Sequence, residues 1–154
     1  MTTAAATKRA LPVLAGLVLV VAAPSASSAG NASLKASLTK WSHTIALDAR
    51  RVGLSAKHRH PRRMTTRANG FRADALRARR ALAAQRPSTA RGGWARSLAL
   101  AAFRAYTVVG RQWALTGRAR VQHRKALAAS HEAVAKRFAR EGNRLLISAA
   151  RLLR

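Results

Sequence analysis

Apolar residues recur at alternating steps of four and three along most of this chain, and no other feature constrains its fold as strongly. This spacing places every member on one side of an α-helix, because a helix completes a turn every 3.6 residues. No segment shows the alternating β-branched pattern of a strand. The first helical segment has Leu34, Leu38, Trp41, Ile45, Asp48 and Val52 at this spacing, with Asp48 as a single carboxylate that interrupts the apolar stripe.

Three further segments continue the pattern, so the sequence predicts an all-α protein. Their apolar faces predict a four-helix up-down-up-down bundle, in which each face packs against its neighbours. The second segment comprises Met64, Ala68, Phe71, Ala75, Ala78 and Leu82, and the third comprises Ala95, Leu98, Ala102, Tyr106, Val109 and Trp113. The fourth comprises Val121, Leu127, Val134, Phe138, Leu145, Ala149 and Leu152.

Proline and glycine indicate where these helices begin and end. Pro61 is expected in the first turn of the second helix, where its missing N–H costs nothing. Pro87 ends that helix, and Ser88 or Thr89 can cap the third. Gly117 is expected just beyond the end of the third helix. Since a glycine inside a helix costs only about 1 kcal/mol, three helices with a long, kinked C-terminal helix remain an alternative.

Residues 1–29 show the order of features that is typical of a signal peptide. Lys8 and Arg9 precede an uncharged apolar run at 10–23, which is followed by Pro24 and small residues. The run is shorter than the roughly 20 apolar residues that a membrane-spanning helix needs. An N-terminal core helix and an uncleaved membrane anchor are the alternatives.

Cleavage is expected after Ala29, with Ala26 as the second choice. A single domain, residues 30–154, would then be exported to the envelope or the exterior of a bacterium. The chain contains no cysteine, so disulfides cannot stabilise this domain and it must bury a core instead.

The charge balance is extreme, with 30 Lys and Arg against four Asp and Glu and a formal net charge of +26. Loss of residues 1–29 lowers it only to +24. Such self-repulsion destabilises a compact state unless anions bind, and arginine matches the geometry of phosphate. Each acid has a basic residue one helical turn away: Asp48 has Arg51, Asp74 has Arg77, Glu132 has Lys136, and Glu141 has Arg137 and Arg144.

The arginines of the second helix and of the C-terminus are the candidate anion-binding residues. We expect them to bind an anionic envelope polymer or a membrane surface, with extracellular nucleic acid as the alternative. They are Arg62, Arg63, Arg67, Arg72, Arg77, Arg79 and Arg80 on the second helix and Arg144, Arg151 and Arg154 at the end of the chain.

The sequence offers no constellation of catalytic residues. It contains no nucleophile elbow and no phosphate-binding loop, and His58 and His60 lie among cations that would repel a metal ion. Asp48 lies on an apolar face, either as an acid of perturbed pKa or, as we prefer, as a carboxylate paired to an arginine. We therefore expect a non-enzymatic protein without metal, cofactor or small-molecule substrate. An enzyme acting on an anionic substrate is the alternative.

Four stretches support a resemblance at the level of pattern: KWSHTIALDARRV, RPSTARGGWARSLALAAF, GRQWALTG and an Ala-rich last helix. Together they resemble the uncharacterised exported Ala/Arg-rich helical proteins of GC-rich bacteria. The resemblance covers most of residues 30–154 and implies a helical bundle, but it carries over no activity and no residue roles.

Among the large aromatic side chains, Trp94 is expected to be exposed, because it follows Gly92 and Gly93 at the start of the third helix.

Overall fold

A computed structural model describes residues 26–154, and the predicted signal segment up to residue 25 lies outside the described residues. The described part forms four helices and contains no strand: α1 (Ala26–Lys57), α2 (Pro61–Ala83), α3 (Ala90–Val121) and α4 (Lys125–Leu152). Within this range no helix combines the length and the apolar character needed to cross a bilayer. The prediction of an all-α four-helix bundle is confirmed.

The helices are not equally central. α3 packs extensively against both α2 and α4, whereas α1 packs mainly against α2 and only slightly against α3. Residues 122–124 separate α3 from α4, so the alternative of three helices is wrong. Pro61 begins α2 as predicted, and the Thr89 side chain caps α3 by accepting a hydrogen bond from the Gly92 N–H at 3.0 Å.

The apolar face predicted for α2 is buried along its whole length, from Met64 to Leu82. Its centre is Phe71, whose ring meets the edges of Tyr106 and Trp113 at centroid distances of 6.1 and 5.2 Å. In α1 the aliphatic members of the predicted face are also buried, while Trp41 is half-buried. Burial of these faces is the main favourable term in the folding of such a bundle.

Gly117 does not end the third helix, contrary to the prediction. α3 continues to Val121, and Gly117 is buried inside it. A Cβ at this position would collide with the Thr65 hydroxyl and lie 2.8 Å from the Pro61 carbonyl oxygen, so glycine is needed there for helix contact. The end of the helix is set four residues later by a backbone turn that contains no glycine.

The core face of α4 also differs from the predicted one, since Val121 is the last residue of α3 and Leu127 is exposed. Its fully buried members are small and recur every seven residues: Ala128, Ala135, Gly142 and Ala149. A Cβ on Gly142 would lie 2.8 Å from the Tyr106 ring. Small residues allow α3 and α4 to approach closely, and the larger apolar side chains of α4 flank this contact.

Three of the four acids form the ion pairs that their spacing predicts. Asp48 lies 3.0 Å from Arg51, Asp74 lies 2.9 Å from Arg77, and Glu132 lies 3.0 Å from both Lys136 and Arg120. Among residues 26–154, Glu141 has no ion pair. Most of the positive charge is therefore not neutralised within the described part of the chain.

Asp48 is paired with Arg51, as we preferred, but its second carboxylate oxygen is buried without a partner. The carboxyl group of Asp74 lies within hydrogen-bonding reach across the α1–α2 contact. Burial first, and Asp74 second, raise the pKa of Asp48 above its usual 3.8. Because the folded state holds the proton more tightly, this carboxyl group favours folding at low pH, and that contribution is lost as the pH rises through its folded pKa.

Asp48→Asn is therefore expected to stabilise the protein at pH 7 by about 1 kcal/mol. The asparagine amide is uncharged and can donate to the Asp74 carboxylate, while the ion pair lost with the exposed Arg51 contributes little. Chemical denaturation at several pH values tests this: the gain should shrink as the pH falls towards 4. Glu141→Gln removes one unpaired exposed acid and is the matched control. A net loss of stability in Asp48→Asn alone would show that the pair with Arg51 dominates.

Candidate anion-binding site

Two turns at the same end of the bundle share one backbone geometry. In the α1–α2 turn, the His60 N–H donates to the Ser55 carbonyl at 2.9 Å and the Arg59 N–H to the Ala56 carbonyl at 3.2 Å. This pair of bonds is the Schellman motif that commonly ends a helix. Arg59 occupies its left-handed position with φ 55°.

The α3–α4 turn repeats this arrangement. The Arg124 N–H donates to the Ala119 carbonyl at 2.9 Å, the His123 N–H donates to the Arg120 carbonyl at 3.2 Å, and His123 has φ 57°. Glycine is the usual residue at such a position, because a side chain there costs about 1–2 kcal/mol. Both turns thus hold a basic residue where glycine would be more stable, and backbone strain of this kind clusters at functional sites.

His123→Gly is expected to raise the free energy of unfolding by about 1 kcal/mol, because glycine adopts this conformation without strain. Thermal or urea denaturation measures the change. His43→Gly, at an exposed position inside α1, is the control and should destabilise by a similar amount through its low helix propensity. Equal losses at both positions would mean that His123 is not strained.

The N-termini of α2 and α4 both open at this end. Neither His60 nor Arg124, the residues that precede the two helices, caps its helix with a side-chain hydrogen bond, and neither first turn contains an acid. The first backbone N–H groups of a helix have no intrahelical partner, and the helix dipole makes this end positive. Two helix ends that favour an anion therefore lie beside the strained turns.

Basic side chains surround these helix ends, and we call the whole set the basic end. It comprises Lys57, His58, Arg59, His60, Arg62, Arg63, Arg118, Arg120, His123, Arg124 and Lys125. All but the half-buried Arg120 are exposed. Glu132, through its bond to Arg120, is the one acid that pairs with this set within residues 26–154.

A depression of about 470 Å³ lies between the two turns. The side chains around it come from both turns: His60, Pro61, Arg62, Arg63, Arg120, Val121 and His123. An anionic group seated there would meet guanidinium donors from two helix pairs, and arginine binds phosphate oxygens in a bidentate manner. The geometry suits a phosphate group, because it brings together several cationic donors.

The arginines predicted from sequence divide into separate surfaces. Arg62 and Arg63 belong to the basic end. Of the C-terminal candidates, Arg144 and Arg151 lie exposed on α4 and Arg154 lies exposed just after it, and α3 separates α4 from α2. Of the remaining candidates on α2, four are exposed: Arg67, Arg72, Arg77 and Arg80. Two of these already have partners, since Arg67 donates to the Arg51 carbonyl at 2.9 Å and Arg77 pairs with Asp74.

Arg79 differs from the other candidates because it is half-buried and its Nε is enclosed without a hydrogen-bond partner. Its alkyl stem packs within the bundle, so its contribution is at least partly structural. Replacement of Arg79 would therefore change stability as well as charge. The binding role predicted for all ten arginines stays a prediction.

Of the eleven residues of the basic end, sequence reasoning predicted only Arg62 and Arg63 as anion-binding residues. Arg118, Arg124 and Lys125 lie more than fifty residues beyond the KHRHPRR turn, and only the antiparallel packing of two helix pairs brings the two sets together. The available signal was the similarity of the two segments, since KHRHPRR and RVQHRK each place basic residues around a histidine.

Among residues 26–154, no group of three or more His, Asp or Glu side chains is placed to hold a metal ion.

No protein family model, no curated protein and no solved structure matches this chain.

Proposed function

We propose that the chain is an exported, non-enzymatic protein that binds the phosphate groups of an anionic envelope polymer or lipid headgroup at its basic end. One observation carries the proposal: two strained turns with basic residues flank a single depression at the end of the bundle where two uncapped helix N-termini open. The helix N-termini and the basic side chains each favour an anion for a separate physical reason. The strain at Arg59 and His123 costs stability, and retained strain of this kind supports a functional use of the two turns.

Binding of this kind has a defined dependence on salt. Each neutralised phosphate releases counterions, so the logarithm of the affinity falls linearly with the logarithm of the salt concentration. The purified protein should be titrated with polyphosphate, anionic vesicles, neutral vesicles and duplex DNA between about 50 and 200 mM salt. We expect steep salt dependence with the first two and no binding to neutral vesicles.

Three results would change the proposal. Tighter binding to DNA than to polyphosphate of similar charge density would favour the nucleic-acid alternative. Turnover of an anionic substrate that survives moderate salt and depends on one residue would favour an enzyme. Absence of binding to every polyanion at low salt would refute the proposal.

Export is a separate part of the proposal and rests on residues 1–29. The first residues after the predicted cleavage position contact the α2–α3 loop, where the Asn31 amide donates to the Thr89 hydroxyl at 2.9 Å. Cleavage after Ala29 would leave this contact in place. N-terminal sequencing of secreted protein should find Gly30 first, and secreted material that still contains Met1 would favour an uncleaved anchor.

A further inference from the structure

A gap between α1 and α4 forms the fourth side of the bundle. The structure places a cavity of about 200 Å³ there, open to solvent between the two helices. Its walls, which we call the α1–α4 groove, are Ser42, Ile45, Ala46 and Ala49 on α1 and Ala139, Asn143 and Leu146 on α4. Five of these seven are apolar, and three of the four on α1 are small, so α1 leaves space unfilled.

The floor of the groove is aromatic and its polar groups are already satisfied. Phe71, Tyr106 and Trp113 lie at its base. The Tyr106 hydroxyl donates to the Asn143 side-chain oxygen at 2.6 Å, and the Ser42 hydroxyl donates to the backbone of its own helix. A water molecule in the groove would find few partners, whereas an apolar cavity of about 150 Å³ can hold a benzene-sized molecule.

The shape of the groove favours a chain over a ring. Ser42 to Ala49 spans two helical turns, about 10 Å along the axis. The opposite wall runs antiparallel from Leu146 back to Ala139 and has the same length, because it also covers seven residue steps. A narrow slot of this length with an apolar lining fits a medium-length alkyl chain.

Positive charge lies at one end of the groove. Arg50 follows Ala49 directly and Arg140 follows Ala139, and both arginines are exposed. The antiparallel arrangement places them at the same end of the groove. Neither forms an ion pair within residues 26–154. An apolar slot with two unpaired, exposed arginines next in sequence to the lining residues of one end is complementary to a molecule with an apolar tail and an anionic head.

We propose that the α1–α4 groove binds a single-chain anionic amphiphile of the fatty-acid class, with its tail over the aromatic floor and its carboxylate at Arg50 and Arg140. This activity goes beyond the proposed function, because the groove and the basic end share no residue. Each can therefore fail without the other.

Calorimetric titration of the purified protein with monomeric octanoate tests the proposal. We expect one saturable site, with acetate and octyltrimethylammonium at least about ten-fold weaker because each lacks one of the two interactions. Ala49→Leu should weaken octanoate binding at least about ten-fold by filling the slot. Ala36→Leu, an exposed position on the same helix, is the control and should bind as the wild type does. Unchanged binding in Ala49→Leu would overturn the proposal.

A spectroscopic measurement needs no substitution in α1. Bromine quenches indole fluorescence on contact, so terminally brominated octanoate should quench the wild-type protein through Trp113. Trp113→Phe should lose most of that quenching. Quenching that persists undiminished in this variant would place the tail elsewhere and refute the groove as its site.

Arg50→Gln combined with Arg140→Gln should weaken the binding of octanoate and leave the binding of octanol unchanged. Equal effects on both ligands would refute the assignment of the head group to these two arginines.

Discussion

Replacement of Arg62, Arg63 and Arg124 by glutamine is expected to weaken polyanion binding by roughly 100-fold at low salt. The three side chains belong to both turns of the basic end and are exposed. Each lost phosphate contact should reduce the salt slope by nearly one unit on duplex DNA. Glutamine has good helix propensity, so the fold should be retained. Affinity measured across a salt series gives both the loss and the slope.

The matched control removes the same charge from other places. Lys35, Arg104 and Arg111 are exposed within α1 and α3 and lie outside the basic end. Their replacement by glutamine should also lower the affinity, but the loss should be at least ten-fold smaller than the loss caused by the triple change at the basic end. Equal losses in the two triple variants would show that the protein binds through its overall charge and has no anion site.

Gly110→Ala should destabilise the protein by about 2–3 kcal/mol, the largest effect that we expect from one added methyl group. A Cβ at Gly110 would lie 2.7 Å from the Arg72 Cβ and 3.0 Å from both its Cα and its backbone nitrogen. Backbone atoms cannot rotate away as a side-chain tip can, so α2 would have to move away from α3. Thermal denaturation should show a fall in Tm of roughly 5–10 °C.

Gly70→Ala provides the opposite result within the same helix pair. No atom lies within 4 Å of a Cβ built on Gly70, which is exposed in the middle of α2. Alanine should therefore stabilise the protein by about 0.5–1 kcal/mol through helix propensity. If both variants lost stability, or both gained it, close contact between α2 and α3 at Gly110 would be ruled out as the cause.

The fold was largely predictable because its signals are local. The 4-3 spacing predicts the buried face of α2 residue for residue, and Pro61 and Thr89 mark helix starts through their own backbone and side-chain chemistry. Three ion pairs one turn apart follow from the same helical geometry. Features that depend on residues within about four positions can be inferred from the order of amino acids alone.

Close contacts between helices were not predictable in the same way. Glycine is typical of a helix end, yet Gly117 lies inside α3, where it is buried in close contact with α2. The face of α4 shows the same effect, because Ala135 and Gly142 are buried for their small size and Leu127 is left exposed. Leu127 is more hydrophobic than Ala135 or Gly142. A prediction from hydrophobicity therefore finds the residues that flank the α3–α4 contact and not the small residues at its centre.

By itself, the sequence determined the class of fold, the starts of α2 and α3 and the large excess of positive charge, since each depends on composition or on near neighbours. Tertiary structure alone decided where that charge is concentrated. Arg59 and His123 are separated by more than sixty residues, and two antiparallel helix pairs bring their turns to one end of the bundle. The physical reason is that chain order sets local geometry, whereas the distance between remote side chains depends on how closely the helices pack.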